Sequence, residues 1–206
     1  MRNIPGGLGQ KIRAFFYSKF FGSFGTNIRI DVGVIIDNPM NVFLGNDIWI
    51  MPYSHLTAAP SDFNPEKSVK PIHIRKKSEY TGKIIIGNET SIGAYNILQG
   101  YGGIKIGNRC TTSARCSIYS MSHSVKIKDS SEKITYANSM VKDHEVVPSV
   151  MNCIELCNGV WIGYNSVIFS GIIGELSFIK SGSTVNCDVP DNMIYDGPNS
   201  TKRFKL

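Results

Sequence analysis

The sequence predicts an all-β chain wound as a three-sided parallel solenoid, on the evidence of two columns of side chains and one pattern of interruptions. In the first column an aliphatic residue returns every six positions: Leu44, Ile50, Leu56; Ile86, Ile92, Leu98; Ile106, Thr112, Ile118; Leu156, Ile162, Ile168; Ile173, Ile179, Val185. Glycine follows this leader at Gly45, Gly87, Gly93, Gly107, Gly163 and Gly174, which suits a backbone that must bend. The second column lies four residues after the leader and holds Ile48, Ser54, Thr90, Asn96, Cys110, Cys116, Ser122, Val160, Ser166, Ser177 and Ser183, nearly all small or β-branched. A flat sheet repeats every two residues and a helix every 3.6, so two inward columns at period six fit neither. They fit short flat faces around a narrow triangular interior, with stacked turns satisfying one another's backbone at ~4.8 Å spacing.

The interruptions obey the same frame. Leader spacing is 30 residues from Leu56 to Ile86, 8 from Leu98 to Ile106, 38 from Ile118 to Leu156 and 5 from Ile168 to Ile173, each break following the third hexad of its set. All insertions then leave from one edge of the prism, and the long polar excursions 59–83 and 124–152 are expected to stand near each other.

Ahead of the repeats, Leu8, Ile12, Phe15, Phe16 and Phe20 fall on one face of a helical pattern that includes Lys11, Arg13 and Lys19. The expectation is a helical cap, residues 1–26, that closes the open end of a β-helix spanning 27–206. The alternative is a peripheral anchor on a membrane surface. Five cysteines without paired CxxC spacing point to a reducing, cytoplasmic setting, and in the repeat columns they read as small fillers. No secretory signal and no spanning run of apolar residues is recognisable. Net charge of +6 suits an anionic partner such as a nucleotide cofactor, an acidic glycan or a membrane face. Nucleic acid is not expected, because aromatic and basic residues do not interleave along a strand face.

These residues resemble the hexapeptide-repeat acyltransferases, in particular the O-acetyltransferases of galactosides, maltose and surface polysaccharides. The resemblance runs from about Asn27 onward. It rests on the stretch from Ile106 to Ser120-Met121-Ser122-His123, on Val160-Trp161-Ile162-Gly163, and on Ser181-Gly182-Ser183 followed by Asp188-Val189-Pro190. The opening Ile4-Pro5-Gly6-Gly7-Leu8-Gly9 with Ile12-Arg13 is similar to members linked to capsule and O-antigen assembly. Two departures are visible: the hexad before Ile173 is one residue short, and Gly197-Pro198-Asn199-Ser200 stands where the family usually has Gly-Asn-Pro-Ala.

The resemblance implies a left-handed winding, acetyl-CoA as donor, a homotrimer with active sites between subunits, and His123 as the catalytic base. Imidazole fits that role: its reference pKa of ~6.5 leaves it able to accept a proton near pH 7. Trp161, at a different corner, is expected to line the thioester and sugar pocket from a neighbouring subunit. Asn96, Tyr95 and Tyr101 are candidate sugar contacts, Asn96 reading equally as a satisfied interior asparagine. For CoA the resemblance points to the last turns, with Gly163, Ser166, Ser181, Gly182 and Ser183 near the pantetheine arm and Lys180, Lys202 and Arg203 toward the phosphates. No metal is expected, since His55, His73 and His144 assemble no three-ligand set with His123. The function expected is acetyl transfer to a hydroxyl of a bacterial surface glycan. The alternatives are N-acetylation of a nucleotide-linked amino sugar, activity on an antibiotic or other small alcohol, and a non-enzymatic scaffold.

Overall fold

The computed structural model describes residues 2–67, 72–123 and 149–202, without the side chains of Ile72, His73, Arg75 and His123. A 12-residue helix, α1 (Gly6–Tyr17), precedes three long parallel ladders of short strands. The first face runs from Ser23–Phe24 through Val42–Leu44, Ile84–Ile86, Ile104–Ile106 and Ile154–Leu156 to Gly171–Ile173. The second runs from Arg29–Ile30 to Phe178–Ile179 and ends on Met193–Tyr195 and Thr201–Lys202; the third runs from Ile35–Asp37 to Thr184–Val185. Each turn contributes one strand to each face, which is the three-sided solenoid expected.

The strands begin at Ser23, a few residues ahead of the boundary expected at Asn27, and the repeat extends one turn below the first set of leaders. Ser23–Phe24 already pairs in register with Phe43–Leu44, and Ile30 and Ile36 lead the next two faces. An aromatic leader, Phe24, opens that turn, so an aliphatic-only column passes over it.

Both columns point inward. The leaders from Ile30 to Val185 are almost wholly buried, each contributing ~1.5–3 kcal/mol relative to exposure. The second column is small because the corner is narrow, and polar because it bonds upward. Ser54 Oγ donates to the Gly93 carbonyl at 2.7 Å, Thr90 Oγ1 to Gly107 at 3.0 Å, Ser166 Oγ to Lys180 at 2.9 Å and Ser177 Oγ to Pro190 at 2.8 Å. The Cys110 and Cys116 thiols do the same toward Cys157 and Gly163, at 3.0 and 3.2 Å. Each side chain thus satisfies a carbonyl one turn above that the ladders leave open. Ser122 leaves the column: it lies exposed on a strand outside the prism.

The glycines after the leaders serve space rather than backbone freedom. Gly45, Gly87, Gly107 and Gly163 do not have positive φ. A Cβ on Gly45 or Gly107 would meet the asparagine of the next turn, Asn88 Oδ1 at 2.5 Å or Asn158 Oδ1 at 2.8 Å. Those asparagines form a ladder up the edge between the first and second faces: the Oδ1 atoms of Asn46, Asn88, Asn108 and Asn158 accept from the backbone N–H groups of Thr26, Asn46, Asn88 and Asn108 at 2.8–2.9 Å.

The two excursions meet as expected. Met121–His123 pairs antiparallel with Ser149–Asn152, which pairs parallel with Ile72–Lys76, so segments of both build one three-stranded sheet on the edge between the third and first faces.

The helix closes the bottom of the prism, with its faces reversed relative to expectation. Gly9 and Arg13 are buried, whereas Leu8, Phe15, Phe16 and Phe20 are exposed. Arg13 Nε donates to the Ile30 carbonyl at 2.8 Å and Nη1 to the Ile4 carbonyl at 2.7 Å. The end of a β-ladder presents unpaired backbone polar groups, and a guanidinium can satisfy a carbonyl there such as that of Ile30, which a phenylalanine cannot. Tyr17, Phe21 and Phe24 supply the apolar packing beneath it.

Candidate active site

The edge between the third and first faces carries the long excursions, and a cleft of about 360 Å³ opens there. Its lining is Gln99, Tyr119, Met121, Ser122, Ser149 and Phe169. Gln99, Tyr119 and Phe169 each directly follow a third-face leader, Leu98, Ile118 and Ile168. Side chains alternate in and out along a strand, so this column points outward at the end of the face. Tyr119 and Phe169 stack with ring centroids 6.4 Å apart. Gln99 Oε1 accepts the Met121 N–H at 3.0 Å, which ties the departing chain to the column below it. Phe169 keeps this place despite the shortened hexad because Gly171 closes the corner at φ +112°, where a Cβ would strike the Cys187 carbonyl at 2.1 Å.

His123 belongs to this corner by its backbone: it pairs in register with Ser149, a lining residue, and follows Met121 and Ser122, two more. Its side chain lies outside the described residues. None of the described lining residues carries a charge.

The other candidates disperse. Asn96 is fully buried inside the prism, its Nδ2 donating to Thr112 Oγ1 at 2.6 Å and its Oδ1 accepting the Cys116 N–H at 2.7 Å, so it presents nothing to a substrate. Tyr95 sits at the edge between the second and third faces, stacked on Tyr53 with centroids 5.2 Å apart. Tyr101 lies on the same edge as His123, one turn below, packed edge-on against Phe63. Trp161 stands on the second face, 46% exposed, its indole N–H donating to Ser113 Oγ at 3.0 Å and its ring tilted against Phe178. The missed residues, Gln99, Tyr119 and Phe169, had a signal in the sequence: they stand one position past the leader at each break.

The candidates for cofactor contact gather at one corner, the edge between the second and third faces in the last two turns. Gly163 lies under Ser181, whose amide nitrogen a Cβ there would meet at 2.5 Å, and Gly182 N–H donates to the Tyr164 carbonyl at 2.8 Å. Gly182 has φ +76° and open space around it, and Ser181 is exposed. Ser183 is half-buried there. Ser166 is the exception: it is fully buried, its hydroxyl committed to the Lys180 carbonyl. Lys180 is paired with Asp196 at 2.6 Å. Lys202 is exposed on the terminal strand, and Arg203 lies outside the described residues. The one-residue deletion before Ile173 is on the edge of the cleft rather than at this corner.

His55 has a partner of its own, Asp37 Oδ2 at 2.7 Å with Thr57 Oγ1 at 3.0 Å, on the outer side of the third face. Burial raises the Cys116 thiol pKa and pushes that of Cys110 up to about 11. These are the properties of inert fillers.

Compared by sequence, the chain matches no family model and no curated protein. Compared by structure, it is similar to the N-acyltransferase AntD from Bacillus cereus, solved as a point variant with dTDP and coenzyme A: TM-score 0.68, 22% identity, 98% of this chain and 90% of that chain covered. A second AntD variant, with dTDP-4-amino-4,6-dideoxyglucose and coenzyme A, gives TM-score 0.68 at 22% identity over 92% and 86%. A maltose O-acetyltransferase from Clostridium difficile 630 gives 0.52 at 15% identity over 99% and 81%. The chain therefore has the left-handed parallel β-helix fold of the hexapeptide-repeat acyltransferases.

Proposed function

We propose that this protein transfers an acetyl group from acetyl-CoA to a hydroxyl of a sugar in a bacterial surface glycan, with His123 as the base. The observation that supports this is the convergence on one edge of the prism of the cleft, whose described lining is uncharged, and the strand that carries His123. In the step itself, the imidazole takes the hydroxyl proton as the oxygen attacks the thioester carbonyl. The tetrahedral intermediate collapses, the C–S bond breaks, and the CoA thiolate leaves and recovers the proton. A backbone N–H at a corner, aimed at the developing oxyanion, would contribute ~3 kcal/mol.

Among the described residues, the cleft suits a neutral hydroxyl acceptor. A sugar amine is protonated near pH 7, and a site that takes it gains from a nearby carboxylate; the described lining of this cleft has none. The second reading, acyl transfer to a nucleotide-linked amino sugar, draws on the likeness to AntD. Trp161 and His123 lie on different sides of one prism, and the homotrimer that the resemblance implies would let them share a pocket between copies; we propose that assembly. CoA fits the corner of Gly163, Ser181, Gly182 and Ser183, where the backbone is open. Exposed Lys202 is a candidate for the phosphates, as is Arg203, which lies outside the described residues, and Lys180 joins them only by giving up Asp196.

Thiol release from acetyl-CoA with neutral sugars tests the proposal. His123→Ala should slow it by ~10²–10⁴-fold without disturbing the assembly. A product that loses its acetyl group in mild alkali is an ester, and one that keeps it is an amide. Full activity in His123→Ala, or transfer to dTDP-amino sugars alone, would overturn the reading.

A further inference from the structure

The outer face of α1 is an apolar surface that the described fold leaves uncovered. Leu8 and Phe15 are each 69% exposed, and Phe16, Phe20 and Ile4 stand beside them at 37–44%. A helix turning 100° per residue places Leu8, Ile12 and Phe15 along one stripe, about 110° round the axis from Gly9 and Arg13 on the buried side. Packing does not require that stripe to be apolar, because the cap is already made by Arg13 and by the aromatic residues beneath it. Large hydrophobic residues held clear of a finished core mark a surface that something else covers.

The charge around the stripe indicates what covers it. The first 30 residues carry five basic side chains, Arg2, Lys11, Arg13, Lys19 and Arg29, and no Asp or Glu. Arg13 is used inside, while Lys11 and Lys19 are exposed on the flanks of the stripe. The Lys19 ammonium lies 4.5 Å from the Phe15 ring centroid. A cation carried beside an aromatic ring that points into solvent is the arrangement of an interfacial helix: the ring enters the acyl boundary and the ammonium stays at headgroup level. No helix among the described residues is long and apolar enough to cross a membrane, so this contact lies on the bilayer surface.

We propose that the outer face of α1 docks on an anionic phospholipid bilayer, with Leu8, Phe15 and Phe16 inserted and Lys11 and Lys19 on the headgroups. This inference does not depend on the reaction proposed above. Its consequence is spatial: docking by α1 sets the first turn, at the closed end of the prism, against the lipid.

Flotation of the full chain with vesicles tests it. The chain should float with phosphatidylethanolamine vesicles containing 30% phosphatidylglycerol, in a salt-sensitive manner, and should stay behind with pure phosphatidylcholine. Leu8→Ser with Phe15→Ser should weaken binding about tenfold or more, and Lys11→Glu with Lys19→Glu should abolish the preference for phosphatidylglycerol. Neither pair should lower the melting temperature, since these side chains stand clear of the core. Failure of the unaltered chain to float, or variants that bind as well as it does, would overturn the proposal. So would a smaller oligomer in the serine variant, which would show that a second copy of the chain covers the face.

Discussion

Asn96 and Thr112 are the two residues that break their columns, and each is the other's partner. Thr112 is the one polar leader, and its Oγ1 receives the Asn96 Nδ2 at 2.6 Å and the Gly93 N–H at 3.2 Å. Asn96→Leu keeps the branched shape but strands the Cys116 N–H in a dry interior and leaves the Thr112 hydroxyl with only the Gly93 N–H, and the expected loss is ~1–3 kcal/mol. Denaturant unfolding should show less than additive losses for the double change with Thr112→Val, because the hydroxyl and the amide that bonds it are removed together while the Gly93 N–H keeps the Thr112 carbonyl. Buried thiols make a second expectation at this scale. Burial raises the Cys110 pKa, so the group binds more protons folded than unfolded above its unfolded value near 9. Its favourable contribution is therefore present below pH ~9 and is lost between that value and about 11, where thermal unfolding should shift to lower temperature. Alkylation at pH 8 should label exposed Cys187 well before Cys110 or Cys116.

At the scale of elements, the cap on the first turn is held by hydrogen bonds from one buried cation. Arg13→Met should be among the costly changes in the chain, ~2–4 kcal/mol, because the Ile30 and Ile4 carbonyls lose a charged donor together. Hydrogen exchange should then rise first in Arg29–Ile30 and α1 and leave the upper turns protected, since a solenoid frays from its ends. The amphipathic pattern of the helix was legible in the sequence, but its direction was not. Hydrophobicity says that a stripe of five apolar residues exists. It does not say that the available end of the solenoid carries a backbone carbonyl, that of Ile30, which a guanidinium satisfies. The glycine after each leader carries the same lesson: its position was legible, whereas its reason, the asparagine ladder of the neighbouring turn, is a contact between residues 20 or more apart.

For the whole molecule, the proposed sharing of one site between copies makes a quantitative expectation. A His123→Ala chain and a Trp161→Ala chain should each be impaired alone. Unfolded together and refolded as mixed trimers, they should recover activity at about a quarter of the interfaces, where the intact histidine meets the intact tryptophan. If both residues served one site within a single chain, mixing would restore nothing.

The period-six beat is local information: a side chain that must point inward every sixth residue needs no knowledge of the rest of the chain, so the solenoid, its three faces and the edge that sheds the excursions could be read from residue order alone. The position of His123 on that edge was readable for the same reason. What only the tertiary structure decided is which outward columns meet. Gln99, Tyr119 and Phe169 become one wall because turns of different length stack in register, Asn96 is withdrawn from the surface because Thr112 lies one turn above it, and the apolar stripe of α1 faces outward because the end it covers is polar. These outcomes depend on neighbours across turns, and residue spacing within one segment does not encode them.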